Sequence, residues 1–219
     1  MKEIMKSDEN MSFREMLTLL QTGQAFRRIL LFFKPPPADI LDLTYGNGKS
    51  WESLEQHEKK HYNITKMDLY STSADIKADV RLPLPFKSRN FDVVYFDPPF
   101  YFREEIYPTI PVITGKILSD EKELFWTKND LSKSVINLGS EVPRVLRTNG
   151  IFIVKISDSY VGKKYIPTHI KVGAFLSKKM SMIATIIAFS QTKKTSMPGF
   201  VRLNNFYYLI FEKVALNEN

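Results

Sequence analysis

The sequence has no cysteine, few histidines and no long apolar run, and each of these absences excludes a class of protein. Without cysteine among its 219 residues, the chain has neither a disulfide framework nor a thiolate metal site. Its three histidines, His57, His61 and His169, are too scattered to suggest a metal cluster. The N-terminal segment MKEIMKSDENMSF lacks the apolar core of a signal peptide, and no apolar run is long enough to span a membrane. We therefore expect a cytoplasmic protein with no metal site and no membrane contact.

The charge balance is basic. The chain has 31 Lys and Arg residues against 24 Asp and Glu residues, which gives a net charge of +7 and a pI near 9.4. Such an excess favours a polyanionic partner such as nucleic acid. The alternative is that the basic surface serves solubility alone. The length suits one domain with a full hydrophobic core.

The N-terminal region is predicted to be helical. Apolar residues recur at helical spacing from residue 11 to residue 33, with an interruption near Gly23, and the run ends at Pro35-Pro36-Pro37. This pattern predicts two short helices that pack on the main domain; a substrate-binding arm is the alternative. We accordingly divide the chain into an N-terminal helical extension, 1–37, and a main domain, 38–219.

The main domain opens with a strand, a glycine turn and a helix. ADILDL at residues 38–43 is a predicted strand, TYGNGKSW at 44–51 forms the turn, and ESLEQHEKK at 52–60 is predicted to be helical. A nucleotide site of the Rossmann type begins in this way. Gly46 and Gly48 would let the backbone approach a ligand. The third glycine of a dinucleotide fingerprint is missing, so a tight loop without a ligand remains the alternative.

Two further short strands end in aspartates. NITKMDL at 63–69 places Asp68 about 20 residues after the glycine turn, the offset of an acid that binds ribose hydroxyls. A third strand, at 73–80, ends near Asp79. Either aspartate could instead be a turn residue.

The central motif is FDVVYFDPPFY at residues 91–101. Its first six residues predict a buried strand, which stops at Asp97-Pro98-Pro99-Phe100. Consecutive prolines cannot continue a sheet ladder and hold the backbone stiffly. Ligands of open α/β sheets bind beyond the carboxyl ends of the strands. We therefore expect this tetrad to form the floor of an active site.

Aromatic and basic residues are mixed in two later segments. An insert at about 101–129 includes Tyr101, Arg103 and Trp126, and a loop at 191–202 includes Lys193 and Lys194. Aromatic rings can stack on bases while cations contact phosphates. For the insert, the alternative is a small subdomain that buries its own aromatic rings.

The rest of the chain alternates helices and strands. Helices are predicted at 130–147 and 165–180, and strands at 151–156, 182–189 and 205–214. The last two strands are expected to pair antiparallel at one end of the sheet.

Together these motifs resemble those of S-adenosylmethionine-dependent amino-methyltransferases, which modify exocyclic amines of DNA or RNA bases. The order of motifs is similar to the γ-like arrangement of the DNA N6-adenine and N4-cytosine enzymes, and the resemblance covers residues 38–214. It implies a class I, Rossmann-like methyltransferase fold. In that fold a seven-stranded, mostly parallel sheet has an antiparallel edge strand and helices on both faces.

The resemblance also implies roles for individual residues. The methionine part of S-adenosyl-L-methionine would lie in a cradle formed by Asp42, Thr44, Tyr45, Gly46 and Gly48. Asp68 would bind the ribose hydroxyls, and Asp79 the adenine amine. In the catalytic tetrad, the Asp97 carboxylate and the Pro98 carbonyl would accept hydrogen bonds from the target amine. Pro99 would stiffen the backbone there, and Phe100 would stack on the flipped base.

The implied substrate is a base in nucleic acid, with DNA preferred over RNA and adenine N6 as the target. Substrate contacts would come from Tyr101, Arg103, Trp126, Lys193 and Lys194. Cytosine N4, an amine of rRNA or tRNA, and a catalytically silent nucleic-acid-binding module remain alternatives, and the protein is expected to be a monomer or homodimer. The turn reads TYGNG where many DNA adenine enzymes have phenylalanine, and no large target-recognition domain is recognisable.

Overall fold

The structure of the chain, a computed structural model, describes residues 20–99, 128–161, 164–189 and 205–213. Its strands are β1 (Leu20–Gln21), β2 (Ala38–Asp42), β3 (Tyr62–Asp68), β4 (Ile76–Lys77), β5 (Phe91–Phe96), β6 (Leu146–Ile156), β7 (Ser159–Val161), β8 (Lys164–Ile166), β9 (Ser181–Phe189) and β10 (Asn205–Glu212). Its helices are α1 (Thr22–Phe33), α2 (Gln56–Lys59), α3 (Lys128–Val145) and α4 (Thr168–Leu176), and a 3-10 helix covers Lys49–Ser53.

The main sheet has eight strands in the order β1-β9-β10-β6-β5-β2-β3-β4. Strands β6, β5, β2, β3 and β4 are parallel, whereas β10 runs antiparallel to both β6 and β9. The predicted seven-stranded, mostly parallel sheet with an antiparallel pair at one end is therefore confirmed. The structure adds β1, which pairs parallel with the end of β9.

Both faces of the sheet are covered. Alternate residues of a strand point to opposite faces, so on β6 Phe152 and Val154 join one hydrophobic cluster while Ile151 and Ile153 join the other. Helices α3 and α4 pack on the first face, and α1 and the 3-10 helix on the second. A strand covered on both sides is apolar throughout, which explains the continuous apolar run that predicted β6.

Several predicted bounds differ from the observed ones. Residues 52–60 form the end of the 3-10 helix and the short α2 rather than one helix. The third predicted strand shrinks to Ile76–Lys77, and α4 is shorter than predicted because Tyr165 belongs to β8. Of the two predicted N-terminal helices, α1 is observed; residues 11–19 lie outside the described part of the chain. Within that part, no helix is long and apolar enough to cross a membrane.

The connection that leads into β5 is fixed by α3. The guanidinium of Arg144 donates to the carbonyl oxygens of Phe86 at 2.6 Å and Leu84 at 2.9 Å. Glu141 accepts a hydrogen bond from the Leu84 backbone N–H at 2.7 Å. These contacts give hydrogen-bond partners to backbone groups of a segment that lies outside the strands. The start of the central strand is therefore held in place by side chains some 55 to 60 positions away.

Candidate active site

Three aspartates from different parts of the chain meet at the carboxyl edge of the sheet. Asp42 ends β2, Asp68 ends β3 and Asp97 directly follows β5. Because β5, β2 and β3 are adjacent and parallel, their carboxyl ends lie side by side. The sequence motifs assign Asp42 and Asp68 to the cofactor and Asp97 to the target amine, and the structure places all three acids at one edge of the sheet.

The glycine turn is locked onto the end of β3. Gly46 has φ +55° and Gly48 has φ +75°, a left-handed conformation that favours glycine. The Gly46 N–H donates to Asp68 Oδ2 at 2.9 Å, and the Tyr45 N–H donates to the Met67 carbonyl at 3.0 Å. The hydroxyl of Ser71 donates to the Gly46 carbonyl. The predicted turn and the predicted ribose-binding acid thus form one unit.

The other oxygen of Asp68 is held by the loop that follows it. Asp68 Oδ1 accepts hydrogen bonds from the backbone N–H groups of Tyr70 at 2.8 Å and Ser71 at 2.9 Å. Together with the bond from Gly46, three backbone donors fix the carboxylate. Two carboxylate oxygens offer about four acceptor positions, so Asp68 keeps capacity for one further donor.

Asp42 is a buried carboxyl under the turn, with 2% of its surface exposed. Its Oδ2 accepts a hydrogen bond from the indole Nε1 of Trp51 at 2.6 Å, and its Oδ1 accepts one from the Thr44 N–H at 3.0 Å. Burial raises the pKa of Asp42 to about 7, against the lowering effect of these two donors. The nearby charges of Asp97 and Asp68 raise it further.

Asp97 is joined to the turn and to β6. Its backbone N–H donates to Thr44 Oγ1 at 2.9 Å. Three donors converge on its Oδ2: Lys155 Nζ at 2.7 Å, Ser50 Oγ at 3.2 Å and the Tyr95 hydroxyl at 3.2 Å. Within the described residues, its Oδ1 accepts no hydrogen bond. The described residues therefore hold this carboxylate through Oδ2.

Aromatic rings support this arrangement from the core. The ring of Phe26, on α1, lies 5.0 Å from Trp51 and 4.4 Å from Tyr95, measured between centroids. Burial raises the pKa of Tyr95 well above the usual tyrosine value, and the charge of Asp97 adds to this effect. The Tyr95 hydroxyl therefore stays protonated and can donate at neutral pH.

Asp79 belongs to a different set of contacts. Both of its oxygens accept hydrogen bonds from the guanidinium of Arg81, whose Nη1 also bonds to Asp130 Oδ1 at 2.5 Å. The hydrogen bond from Arg81 lowers the pKa of Asp79. The ion pair between Arg81 and Asp130 joins the segment after β4 to the start of α3. An adenine amine at Asp79 would have to share the carboxylate with Arg81.

Another buried carboxyl, that of Asp158, joins the elements that follow β6. It accepts hydrogen bonds from the backbone N–H of His169 at 3.0 Å, from the Nδ1 of the same residue at 2.7 Å, and from the Tyr165 hydroxyl. The ring of His169 stacks on Tyr207 with 3.7 Å between centroids. Asp158 thereby anchors the β7–β8 hairpin, α4 and β10 to one another. In the sequence, this network had no signal beyond a lone histidine.

The structure brings some of the predicted site residues together and is silent on others. The hydrogen bonds described above link five of them: Asp42, Thr44, Gly46, Asp68 and Asp97. Tyr45 and Gly48 lie in the same turn, where the N–H of Gly48 donates to the Tyr45 carbonyl at 2.9 Å. Pro98 is buried and Pro99 is half-buried. The other predicted residues lie outside the described part of the chain: Phe100, Tyr101, Arg103, Trp126, Lys193 and Lys194.

Sequence reasoning missed four residues that contact the two central acids. Ser50, Tyr95 and Lys155 donate to Asp97, and Trp51 donates to Asp42. Only Lys155 carried a signal, since it is the single charged residue in the apolar run IFIVKI at 151–156. A buried charge in such a run needs a partner.

A scan against protein-family models and a search of curated proteins both find no match, whereas the structure resembles solved structures. The N-methyltransferase NodS from Bradyrhizobium japonicum WM9 has a TM-score of 0.51 at 10% identity, covering 88% of this chain and 94% of that one. A SAM dependent methyltransferase from Aquifex aeolicus has a TM-score of 0.52 at 11% identity, covering 86% and 89%. TrmN from Thermus thermophilus has a TM-score of 0.51 at 13% identity, covering 87% of this chain and 48% of TrmN. The chain therefore has the class I, Rossmann-like methyltransferase fold.

Proposed function

We propose that this chain is an S-adenosyl-L-methionine-dependent methyltransferase that modifies the exocyclic amine of a flipped base in nucleic acid, with adenine N6 in DNA as its substrate. The observation that carries this proposal is the position and hydrogen bonding of the Asp97 carboxylate. Its carboxylate stands at the carboxyl end of the central strand, is held by donors to Oδ2, and has Oδ1 without a hydrogen bond from any described residue. Two prolines follow it directly.

The residues at this edge suit a cationic cofactor. The charges of Asp68 and Asp97 lie close enough to Asp42 to raise its pKa further than burial alone does. Three carboxyl groups thus lie together here, although the chain as a whole is basic. A positively charged ligand would relieve this repulsion. The open space at Gly46 also fits, because a Cβ at that position would meet nothing within 4 Å. NodS, which has this fold, has a solved structure in complex with S-adenosyl-l-homocysteine.

We assign the cofactor contacts as the sequence motifs imply. Asp42, Thr44 and the glycine turn would hold the methionine part, and the remaining acceptor capacity of Asp68 would serve the ribose. The adenine amine would lie at Asp79 beside Arg81. When bound, S-adenosyl-L-methionine supplies an electrophilic methyl group on a sulfonium.

Asp97 and the Pro98 carbonyl would activate the target. The lone pair of an exocyclic amine is delocalised into the base, so the amine is a poor nucleophile. Two acceptors that bind its hydrogens favour a pyramidal nitrogen with its lone pair directed outward. The negative charge of Asp97 also stabilises the positive charge that develops on this nitrogen. The chain would thus act by positioning and electrostatics, an effect that can lower a barrier by several kcal/mol.

The choice of nucleic acid as substrate rests on charge and on the tetrad. A net charge of +7 suits a phosphate backbone, and Asp-Pro-Pro-Phe resembles the motif of enzymes that modify base amines. A base must leave a duplex to reach such a pocket, and Phe100 would stack on it there. DNA is preferred because Asp, rather than Asn, leads the tetrad. A base in rRNA or tRNA is the alternative substrate, and a monomer or homodimer remains the expected assembly.

The test is transfer of labelled methyl from S-adenosyl-L-methionine to unmethylated duplex DNA or to total RNA, followed by nucleoside analysis. We expect N6-methyladenine from DNA. Asp97→Ala should abolish transfer while cofactor binding persists, and Glu52→Gln, at an exposed carboxylate of the neighbouring 3-10 helix, is the control that should retain it. Label in RNA would mean that the substrate is a base in RNA, the alternative given above, and not a base in DNA. Activity retained in Asp97→Ala would reject the catalytic assignment, and a wild-type protein that binds cofactor but labels neither polymer would reject the proposal.

A further inference from the structure

Lys155 is a nearly buried cation inside the sheet. It lies on β6, where its neighbour Val154 pairs with Phe96, the residue just before Asp97. Its side chain is 14% exposed. Flanked by Val154 and Ile156, an ammonium group in this position would be costly without a partner. Its position on β6 brings it within reach of the residue that follows β5.

Lys155 pairs with Asp97 through one of its carboxylate oxygens. Lys155 Nζ lies 2.7 Å from Asp97 Oδ2 and 5.4 Å from the ring centroid of Phe206. Ser50 Oγ and the Tyr95 hydroxyl each lie 3.2 Å from the same Oδ2, and 3.0 Å from each other. Three elements, β6, the 3-10 helix and β5, therefore supply donors to a single atom.

A carboxylate can rotate about its Cβ–Cγ bond, so either oxygen could in principle meet a substrate. Three donors on Oδ2 fix that rotation and leave Oδ1 as the acceptor. The ion pair is the strongest of the three contacts, because it is the shortest and the only one between opposite charges. It also balances the negative charge of Asp97, which adds to the effect of burial in raising the pKa of Asp42 and that of Tyr208.

We propose that Lys155 is a positioning residue of the methyl-transfer site, which holds Asp97 Oδ2 so that Oδ1 alone receives the target amine. This inference rests on the proposed function, since it assigns Lys155 a role in that reaction. Lys155 contacts Asp97 rather than the reacting atoms in this account. Its loss should therefore slow the transfer step and leave cofactor binding nearly unchanged.

The test compares Lys155→Met with wild type and with Lys213→Met. Lys213 is a second partly buried lysine, which donates to the Leu146 carbonyl at the start of β6, far along the strand from Lys155. We expect Lys155→Met to lower kcat by about 10- to 100-fold, the effect of a small misplacement of a catalytic group. The KM for S-adenosyl-L-methionine should change by less than about threefold, and Lys213→Met should keep the wild-type kcat.

Two further variants make the result decisive. Lys155→Gln removes the charge but keeps a hydrogen-bond donor, so it should fold even where Lys155→Met does not, and its kcat should fall between those of wild type and Lys155→Met. Ser50→Ala removes another donor to Oδ2. If both side chains act through that oxygen, the double variant Ser50→Ala/Lys155→Gln should raise the activation free energy of methyl transfer by less than the sum of the two single changes.

Each outcome separates this inference from the proposed function. A folded Lys155→Gln protein that transfers methyl at the wild-type rate overturns the role of Lys155 while the methyltransferase assignment stands. The same is true if kcat and cofactor affinity fall together, because that pattern indicates a structural role. A wild-type protein that transfers no methyl to DNA or RNA overturns the proposed function and, with it, the role inferred for Lys155.

Discussion

The stability of this fold should decrease as the pH rises from about 4 to about 7, because of the buried carboxyl of Asp42. Burial raises the pKa of this group from 3.8 to about 7 in the folded protein. Between these two values the unfolded chain has released the Asp42 proton while the folded protein still binds it. The unfolded state then carries fewer protons, so a rise in pH favours unfolding.

The size of this effect follows from the difference between the two pKa values. From 3.8 to about 7 is a difference of about 3 units, and one unit corresponds to about 1.4 kcal/mol. The full contribution of Asp42 is thus a loss of about 4 kcal/mol across the whole titration. About 2–3 kcal/mol of this loss falls between about pH 5 and pH 8.

The assay is urea unfolding of wild type and Asp42→Asn at several pH values in that window. Asparagine does not titrate, so the difference between the two proteins isolates Asp42. Asparagine has one acceptor oxygen where the carboxyl group has two, so it can accept from Trp51 Nε1 or from the Thr44 N–H but not from both, and the lost hydrogen bond should cost the variant about 1–3 kcal/mol at every pH. We expect the stability advantage of wild type to shrink by about 2–3 kcal/mol between about pH 5 and pH 8. An advantage that is constant or grows with pH would refute the reasoning, since it would mean that Trp51 and Thr44 keep Asp42 ionised.

Two further predictions concern the glycine turn and the basic loop. Gly48→Ala should destabilise the protein more than Gly46→Ala in urea unfolding, by about 1–2 kcal/mol. Both glycines have positive φ, but a Cβ at Gly48 would lie 2.5 Å from the Tyr45 hydroxyl oxygen, whereas one at Gly46 meets nothing within 4 Å; equal losses would contradict the role of Tyr45. Replacing Lys193 and Lys194 together by alanine should reduce the slope of log affinity for DNA against log salt by about 2, if both contact phosphates. An unchanged slope, measured by fluorescence anisotropy, would exclude the pair from the interface.

The sequence predicted the elements whose signals are local. The apolar runs gave the central strands, the glycines gave the turn, and the position of Asp97 before two prolines marked the end of β5. The convergence of Asp42, Asp68 and Asp97 follows from the observed order of β5, β2 and β3, because parallel strands end at the same edge of a sheet. The two-residue strand β1 could not be predicted, since it exists only through its pairing with Ala188 and Phe189.

The supporting contacts of the site depend on long-range pairing, which the sequence does not reveal. Lys155 meets Asp97 across 58 positions and Ser50 meets it across 47. These residues can be recognised as neighbours only when the order and register of β2, β5 and β6 are known. Likewise Asp79 fitted the pattern of a cofactor-binding acid, but its neighbour Arg81 proved to bind both of its oxygens.

The position of Phe26 connects the first part of the chain with the candidate site. Its ring packs against Trp51, which holds Asp42, and against Tyr95, which holds Asp97. A shortened chain of residues 38–219 would keep every residue assigned to chemistry and yet expose both aromatic rings to water on one side. Helix α1 thus supports the side chains that hold both acids, and a protein shortened to residues 38–219 would lack that support.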